Sequence, residues 1–183
     1  LCGDVNPSGR TIDTFVYDLT QTPTANNFGN FNYTNMDEFK ANSFGADTIP
    51  AFVNYVEGIY VGYKFYETAA AEGLIDYDKT VVYPFGRGLR YTTFTQTLNS
   101  VTEADGTITV DVTVTNTGSA SGKEVVEVYY NPPYTNGGIE KASANLIGFA
   151  KTSELAPGAS ENVTVTFKAE DMASYDTYGK GCY

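Results

Sequence analysis

From Thr107 to Asn116 the chain alternates without a break. Ile108, Val110, Val112 and Val114 fall on one side, and Thr109, Asp111, Thr113 and Thr115 on the other. A period of two is that of a strand with one buried and one solvated face, and no helix can present it. Three shorter apolar stretches follow: Glu124 to Tyr130, Ala144 to Phe149 and Asn162 to Phe167. The polar segment Thr117 to Lys123, then Asn131-Pro132-Pro133, then Leu155-Ala156-Pro157-Gly158-Ala159-Ser160 separate them. Proline has no N–H to give a ladder, so the second and third are places where strands stop, and the Gly/Ser content of the first turns the chain. Regularly spaced short strands with such turns predict an antiparallel β-sandwich for the C-terminal half.

A chain of 183 residues can bury roughly 70% of its unfolded surface as one unit, or divide into two small domains. Hydrophobic residues make up 42% and charged ones 18%, the balance of a globular chain. The apolar content leans on 15 Tyr and 11 Phe with Val, Ile and many Thr, which favours strands. The net charge of −11 repels phosphate backbones and anionic lipids, so nucleic acid is excluded as a partner. No apolar run approaches the ~18 residues that span a bilayer. The opening Leu1-Cys2-Gly3-Asp4 has neither an initiator Met nor a signal-peptide pattern, so the chain is not expected to start where its gene does. Cys2 and Cys182, at opposite ends, read as two free thiols rather than a disulfide framework. Asn32-Tyr33-Thr34 and Asn162-Val163-Thr164 are glycosylation sequons only in a secreted eukaryotic protein.

The N-terminal half is less regular. Gly3-Asp4-Val5-Asn6-Pro7-Ser8-Gly9-Arg10 reads as a turn, followed by a short strand within Thr11 to Leu19. Thr20 to Pro50 has no clean period and is rich in Asn, Phe and Tyr. It is either an ordered excursion that buries Phe28, Phe31 and Phe39, or a sugar-facing loop, because aromatic rings stack on a pyranose and amides bond its hydroxyls. Ile59, Val61, Tyr63 and Phe65 alternate with Tyr60, Gly62, Lys64 and Tyr66, which predicts a strand. Thr68 to Gly73 predicts one short helical turn. Thr80 to Tyr83 predicts a further β segment, turned by Pro84, Gly86 and Gly88 before the chain resumes at Leu89 to Phe94.

Two of these stretches carry a resemblance. Glu57-Gly58-Ile59-Tyr60-Val61-Gly62-Tyr63-Lys64-Phe65-Tyr66, with Tyr83-Pro84-Phe85-Gly86-Arg87-Gly88-Leu89-Arg90-Tyr91-Thr92-Thr93-Phe94, resembles the passage in glycoside hydrolase family 3 where an α/β sandwich domain hands over to a fibronectin type III-like domain. The turn Gly3 to Arg10 resembles an element late in that α/β domain. Val114-Thr115-Asn116-Thr117-Gly118, Glu124-Val125-Val126-Glu127-Val128-Tyr129, Leu146-Ile147-Gly148-Phe149 and the Leu155 to Gly158 turn resemble, in order, pieces of its fibronectin-like domain. Arg87 and Arg90 depart from the pattern, which has an aromatic and a small residue there. The resemblance implies a mainly β chain. Residues 1–66 would be the end of an α/β sandwich domain, 67–91 an aromatic-rich linker, and 92–183 a fibronectin type III-like β-sandwich lacking its last hairpin and so left with an unpaired edge.

The chemistry within reach is narrow. Without any His there is no Ser-His-Asp or Cys-His apparatus and no His-bearing zinc site. Gly86-Arg87-Gly88-Leu89-Arg90 lacks the ending of a phosphate loop, and two Cys are too few for a thiolate cluster. No metal or other cofactor is expected. Glycoside hydrolysis needs only two carboxylates, ~5 Å apart in a retaining enzyme. Asp4, Asp13, Asp18, Glu57, Glu67, Glu72, Asp76 and Asp78 are candidates, with a solvated surface acid as the default for each. In family 3 the nucleophile lies on a barrel domain and the acid/base ahead of the part that Leu1 begins, and neither motif is found here. The resemblance therefore implies no catalytic residue in this chain. It implies a supporting portion of a retaining β-glucosidase, partnered by the rest of that enzyme and its β-linked substrate. A free-standing glycan-binding module using Phe28, Phe31 and Tyr33 is the rival, and an independently catalytic glycosidase a third reading.

Overall fold

The computed structural model describes residues 3–27, 31–34, 42–43, 46–47, 52–176 and 179. Phe28, Phe39, Cys2 and Cys182, named above, lie outside them.

Among the described residues, the N-terminal half contains four short strands and two α-helices. They are β1 (Phe15–Val16), β2 (Asn42–Ser43), β3 (Ala46–Asp47), α1 (Tyr63–Ala71), α2 (Tyr77–Thr80) and β4 (Val81–Tyr83). β1 pairs antiparallel with β4, and β2 with β3. The strand expected within Thr11 to Leu19 is thus two residues long. Thr11 does pair by backbone with the turn after β4: its N–H donates to the Arg87 carbonyl (2.8 Å), and the Gly86 N–H donates to the Thr11 carbonyl (2.9 Å).

The strand expected over Ile59 to Tyr66 does not form. Residues 57–60 make a turn, and Tyr63 opens α1, five positions before the helical turn anticipated at Thr68. The alternating aromatics were outweighed by Ala69, Ala70 and Ala71, the strongest helix formers. Gly62 sits just ahead at φ 58°, a conformation that glycine takes without strain. Tyr66 and Ala69, three apart on one face, are the buried residues of this helix. Leu89 to Tyr91 also remain irregular, and extended structure resumes only at Phe94.

The C-terminal half is the expected sandwich. β5 (Phe94–Ala104), β6 (Thr107–Asn116) and β9 (Ser160–Lys168) form one antiparallel sheet in the order β5-β6-β9, while β7 (Val125–Tyr130) and β8 (Asn145–Lys151) form the other. Val110, Val112, Val114, Val126, Leu155 and Val163 make the buried core, with Phe94, Ile108, Val128 and Phe167 packed around it. Each such side chain stabilises the fold by about 1.5–3 kcal/mol on burial. The hairpin joining β5 to β6 turns through Asp105 and Gly106, both at positive φ (51° and 72°), the geometry whose twist matches the flanking strands. Gly148 of β8 brings the two sheets close on one side, since a Cβ there would meet Val165 at 2.7 Å. On the other side, between β5 and β7, an apolar groove opens beside Leu98, Val101 and Val128.

Candidate functional site

Two arrangements in the structure carry possible function: a seam joining the N-terminal turn to the sandwich, and a cleft beside α1.

The seam is built from the Asn6 to Arg10 turn, the irregular Gly86 to Thr92 segment and the edge of the sandwich around Gly122 and Glu124. The Asn6 side-chain amide donates to the Ser121 carbonyl (2.8 Å) and accepts from the Tyr91 N–H (2.9 Å). Lys151 of β8 donates to both the carbonyl (3.0 Å) and the hydroxyl (2.8 Å) of Ser8. Arg10 and Arg90 each pair with a different oxygen of Glu124. The Glu124 side chain is 4% exposed, Arg10 11% and Arg90 36%. Such a carboxylate is tolerable out of water only because two guanidinium groups and the Val125 N–H (3.0 Å) engage it.

Glycine makes the approach possible. A Cβ on Gly88 would strike Arg10 and come within 2.5 Å of the Gly9 carbonyl, and one on Gly122 would come within 2.5 Å of the Asn6 amide. Asn116, wholly buried at the end of β6, closes the adjoining turn. Its amide donates to the carbonyls of Ala120 and Leu155 (both 2.8 Å) and accepts from the Thr92 hydroxyl (2.7 Å) and the Gly118 N–H (3.1 Å). The two arginines that depart from the family pattern are both engaged. Arg90 is the second cation on Glu124, and Arg87 lies over the Tyr83 ring at 5.0 Å.

The cleft has a volume of about 1130 Å³. One wall is a face of α1 and its cap, with Phe65, Thr68, Ala69 and Glu72 spaced by three and four. The facing wall is the loop after β7, with Asn131, Pro133, Tyr134 and Asn136, and the 3₁₀ turn Leu19–Gln21 borders it. The walls are cross-linked. The Ser143 N–H donates to the Thr68 hydroxyl, and the Leu146 N–H to the Tyr63 hydroxyl, each at 2.9 Å. Tyr60 donates to Glu140 (2.5 Å). Burial and then that carboxylate push the Tyr60 phenol up to about 12.

The carboxylates singled out by sequence are dispersed among structural duties. Asp13 accepts from the Thr14 N–H (2.8 Å), and Glu67 from the Tyr77 hydroxyl (2.7 Å). Glu57 accepts from the Asn27 amide. Asp78 lies in the first turn of α2, and Asp4 is exposed in the opening turn. Asp18 caps a 3₁₀ turn, and its bond from the Thr20 hydroxyl holds it below the usual carboxylate range; Asp76 is lowered likewise by Lys79. A general acid needs the opposite shift. Glu57 and Glu72 alone of the eight line the cleft. Among the described residues no three acidic or thiol groups are placed to hold a metal ion, and no helix is long and apolar enough to cross a membrane. Phe31 and Tyr33 stack on Phe52 (5.9 and 5.1 Å between ring centres), away from the cleft lining. Phe31 is still 39% exposed, so it is not the buried anchor anticipated.

Comparison with known proteins matches these features to one family. The model for the fibronectin type III-like domain matches residues 124–182. Beta-glucosidase A of Butyrivibrio fibrisolvens is 38% identical across 98% of this chain, which spans 20% of that protein. The solved beta-glucosidase from Paenibacillus barengoltzii superposes with a TM-score of 0.74 and 37% identity over 95% of this chain and 16% of its own. The Bifidobacterium adolescentis GH3 beta-glucosidase gives 0.72 and 30% over 96% of this chain and 22% of its own. The chain thus spans about a fifth of the proteins it matches, and along nearly its whole length it matches β-glucosidases of glycoside hydrolase family 3, over a part of them that includes the fibronectin type III-like domain.

Proposed function

We propose that this chain is a non-catalytic portion of a retaining β-glucosidase that hydrolyses terminal β-D-glucosyl residues. In this reading residues 1–66 end the α/β sandwich domain, 67–91 link, and 92–183 form the fibronectin type III-like unit that supports the catalytic domain. The partners are the remainder of the enzyme and, through it, a β-linked glycoside.

The observation that carries the reading is the seam. A turn that the family places in the α/β domain is tied to the β-sandwich by Asn6, Ser8 and Arg10, with Glu124 buried beneath it. A rigid seam of this kind suits a buttress, because it transmits the sandwich's stability to the domain in front of it. The near-complete match to β-glucosidases along this chain, set against a fifth of their length, supports the same assignment.

The test is made on the source protein. Its intact mass under denaturing conditions is expected to be several-fold above 19.8 kDa, and the protein should release glucose from a β-glucoside. The 183-residue chain alone should release none. Turnover by the chain alone, or a natural polypeptide of this mass without the rest of the enzyme, would overturn the assignment.

A further inference from the structure

We propose that Asn136 is a site of spontaneous covalent modification, where the side-chain amide is lost and the turn from Thr135 to Gly138 comes to hold aspartate or isoaspartate. The inference is independent of the supporting role. The reaction takes place within two adjacent residues, needs water alone as co-reactant and asks for no ligand in the cleft.

The sequence narrows the choice first. Of the fourteen asparagines, only Asn136 is followed by glycine. Loss of the amide requires the side-chain carbonyl carbon to meet the main-chain nitrogen of the next residue. A glycine there puts no Cβ in the way and leaves the backbone free to rotate. Asn6 and Asn131 precede proline, which has no N–H to give up.

The fold then protects the other described candidates. Asn116 is wholly buried, with its amide donating to the carbonyls of Ala120 and Leu155. The Asn145 amide donates to the Ala142 carbonyl (2.8 Å), and the nitrogen that would have to attack it, that of Leu146, donates to the Tyr63 hydroxyl (2.9 Å). Asn99 and Asn162 are both hydrogen-bonded to the Thr113 hydroxyl, and they lie in β5 and β9, whose ladders to β6 hold the backbone extended. Asn136 has none of these restraints. Pro133 to Glu140 is exposed throughout, and among the described residues nothing bonds the Asn136 amide or the Gly137 N–H. Gly137 sits at φ 80°, and the Gly138 N–H donates to the Thr135 carbonyl (2.8 Å), the geometry of a turn with Asn136 and Gly137 at its corner. Apart from its chain neighbours, no heavy atom lies within 4 Å of the place a Cβ on Gly137 would take. The rotation that brings the Gly137 nitrogen onto the side-chain carbon therefore strains one backbone bond, where in β5 it would break a ladder.

In the reaction the Gly137 nitrogen attacks the Asn136 side-chain carbonyl carbon. A bond between them forms, the bond from that carbon to the amide nitrogen breaks, and ammonia leaves with the proton of the Gly137 N–H. The cyclic imide takes up one water at either of its carbonyls. One opening gives aspartate; the other gives isoaspartate, in which the main chain runs through the former side-chain carbon. Ionisation of the Gly137 N–H starts the step, so its rate follows hydroxide. The product adds a carboxylate to a cleft lining that already holds Glu57 and Glu72, in a chain of net charge −11, and so raises the repulsion there.

The test is incubation of the intact source protein at mildly alkaline pH, followed by peptide mapping with mass spectrometry and by isoelectric focusing. Aspartate and isoaspartate are expected at position 136 ahead of every other asparagine, with the native protein gaining one negative charge and the rate rising with hydroxide. Asn136→Gln should lose that charge shift, because its longer side chain closes the ring poorly. The position is on an exposed turn, so the variant keeps its fold, which a thermal melt checks. In urea Asn99, which precedes the small Ser100, should begin to convert while Asn136 changes little. That contrast separates protection by the fold from the sequence alone. An unaltered Asn136 in the native source protein overturns the proposal, even where the 183-residue chain by itself converts. So does native conversion of Asn99 or Asn162 as fast as that of Asn136, or a charge shift that survives Asn136→Gln.

Discussion

Replacing Glu124 by Gln isolates the electrostatics of the seam. The amide keeps the shape, and one oxygen still accepts hydrogen bonds, but Arg10 and Arg90 lose the charge they share. Removing one partner of a fully buried pair costs about 3–5 kcal/mol, because the other charge is left stranded. Neither arginine is that isolated. At 36% exposure Arg90 can turn to water, so its arm contributes no more than about 1 kcal/mol, the range of surface pairs. Arg10, at 11%, has less freedom, and with the remaining amide bond its arm is worth about 2 kcal/mol. The expected loss is therefore about 2–3 kcal/mol, or about 5–10 °C in melting temperature for a chain of this size. Urea denaturation of the 183-residue chain measures it. Double-mutant cycles with Arg10→Ala and Arg90→Ala should show the larger coupling at Arg10. Salt near 1 M, where the screening length is about 3 Å, should reduce the Arg90 coupling more than the Arg10 coupling. A total loss below about 0.5 kcal/mol, or a larger coupling at Arg90, would refute the account of the seam.

The remaining expectations concern packing and protonation. Asn116→Ala should destabilise by about 2 kcal/mol in the same assay, since it leaves the half-buried Ala120 carbonyl and the buried Thr92 hydroxyl without the Asn116 amide and the Leu155 carbonyl with only the Gly122 N–H. A loss of a few tenths would mean that water replaces the amide. Gly88→Ala should cost about 1–3 kcal/mol, because the clash involves the Gly9 backbone as well as the Arg10 guanidinium, which Glu124 holds in place; a neutral result would show that the turn can retreat. Val114→Ala, at 0% exposure, should cost about 2 kcal/mol in urea midpoints through the cavity left behind. At alkaline pH the fold should weaken. Tyr60, Tyr77 and Tyr129 hold their protons more tightly folded than unfolded. The stabilisation they add is thus complete below the unfolded value of about 10 and is lost as pH climbs, for Tyr60 through about 12. Melting temperatures that stay flat across that window would contradict this, and Tyr60→Phe should shrink the slope.

The sandwich was readable where a sheet has one wet and one dry face. β6 alternates because Val110, Val112 and Val114 enter the core while their neighbours meet water, and β7, β8 and β9 lie within a residue or two of their expected positions. β5, the longest strand, was missed. Leu98 and Val101 are 61% and 59% exposed, and a bulge between Leu98 and Ser100 breaks the period. The strand expected at Ile59 to Tyr66 failed for a related reason: a short aromatic run carries two periods at once, and the alanines that decide between them lie further on. The seam left no local trace. Asn6 and Ser121 are 115 positions apart, and Arg10 and Glu124 are 114 apart, so the turn motif reads as any loop until the fold supplies its partners. Glu57 and Glu72 were visible as acids, but that they share a cleft with Tyr134 depends on where the loop after β7 folds back.

The seam also bears on how this unit can be moved between proteins. A graft cut at Thr92 would carry Glu124, Gly122 and Lys151 but abandon Asn6, Ser8, Arg10 and Arg90, leaving a buried carboxylate and an empty notch on the new surface. The transplantable module is discontinuous in sequence: the strands from Phe94 onward, the segment from Gly86, and the turn from Asn6 to Arg10. A chimera keeping all three should tolerate a foreign neighbour in front of it, whereas one keeping only the strands would need its socket redesigned.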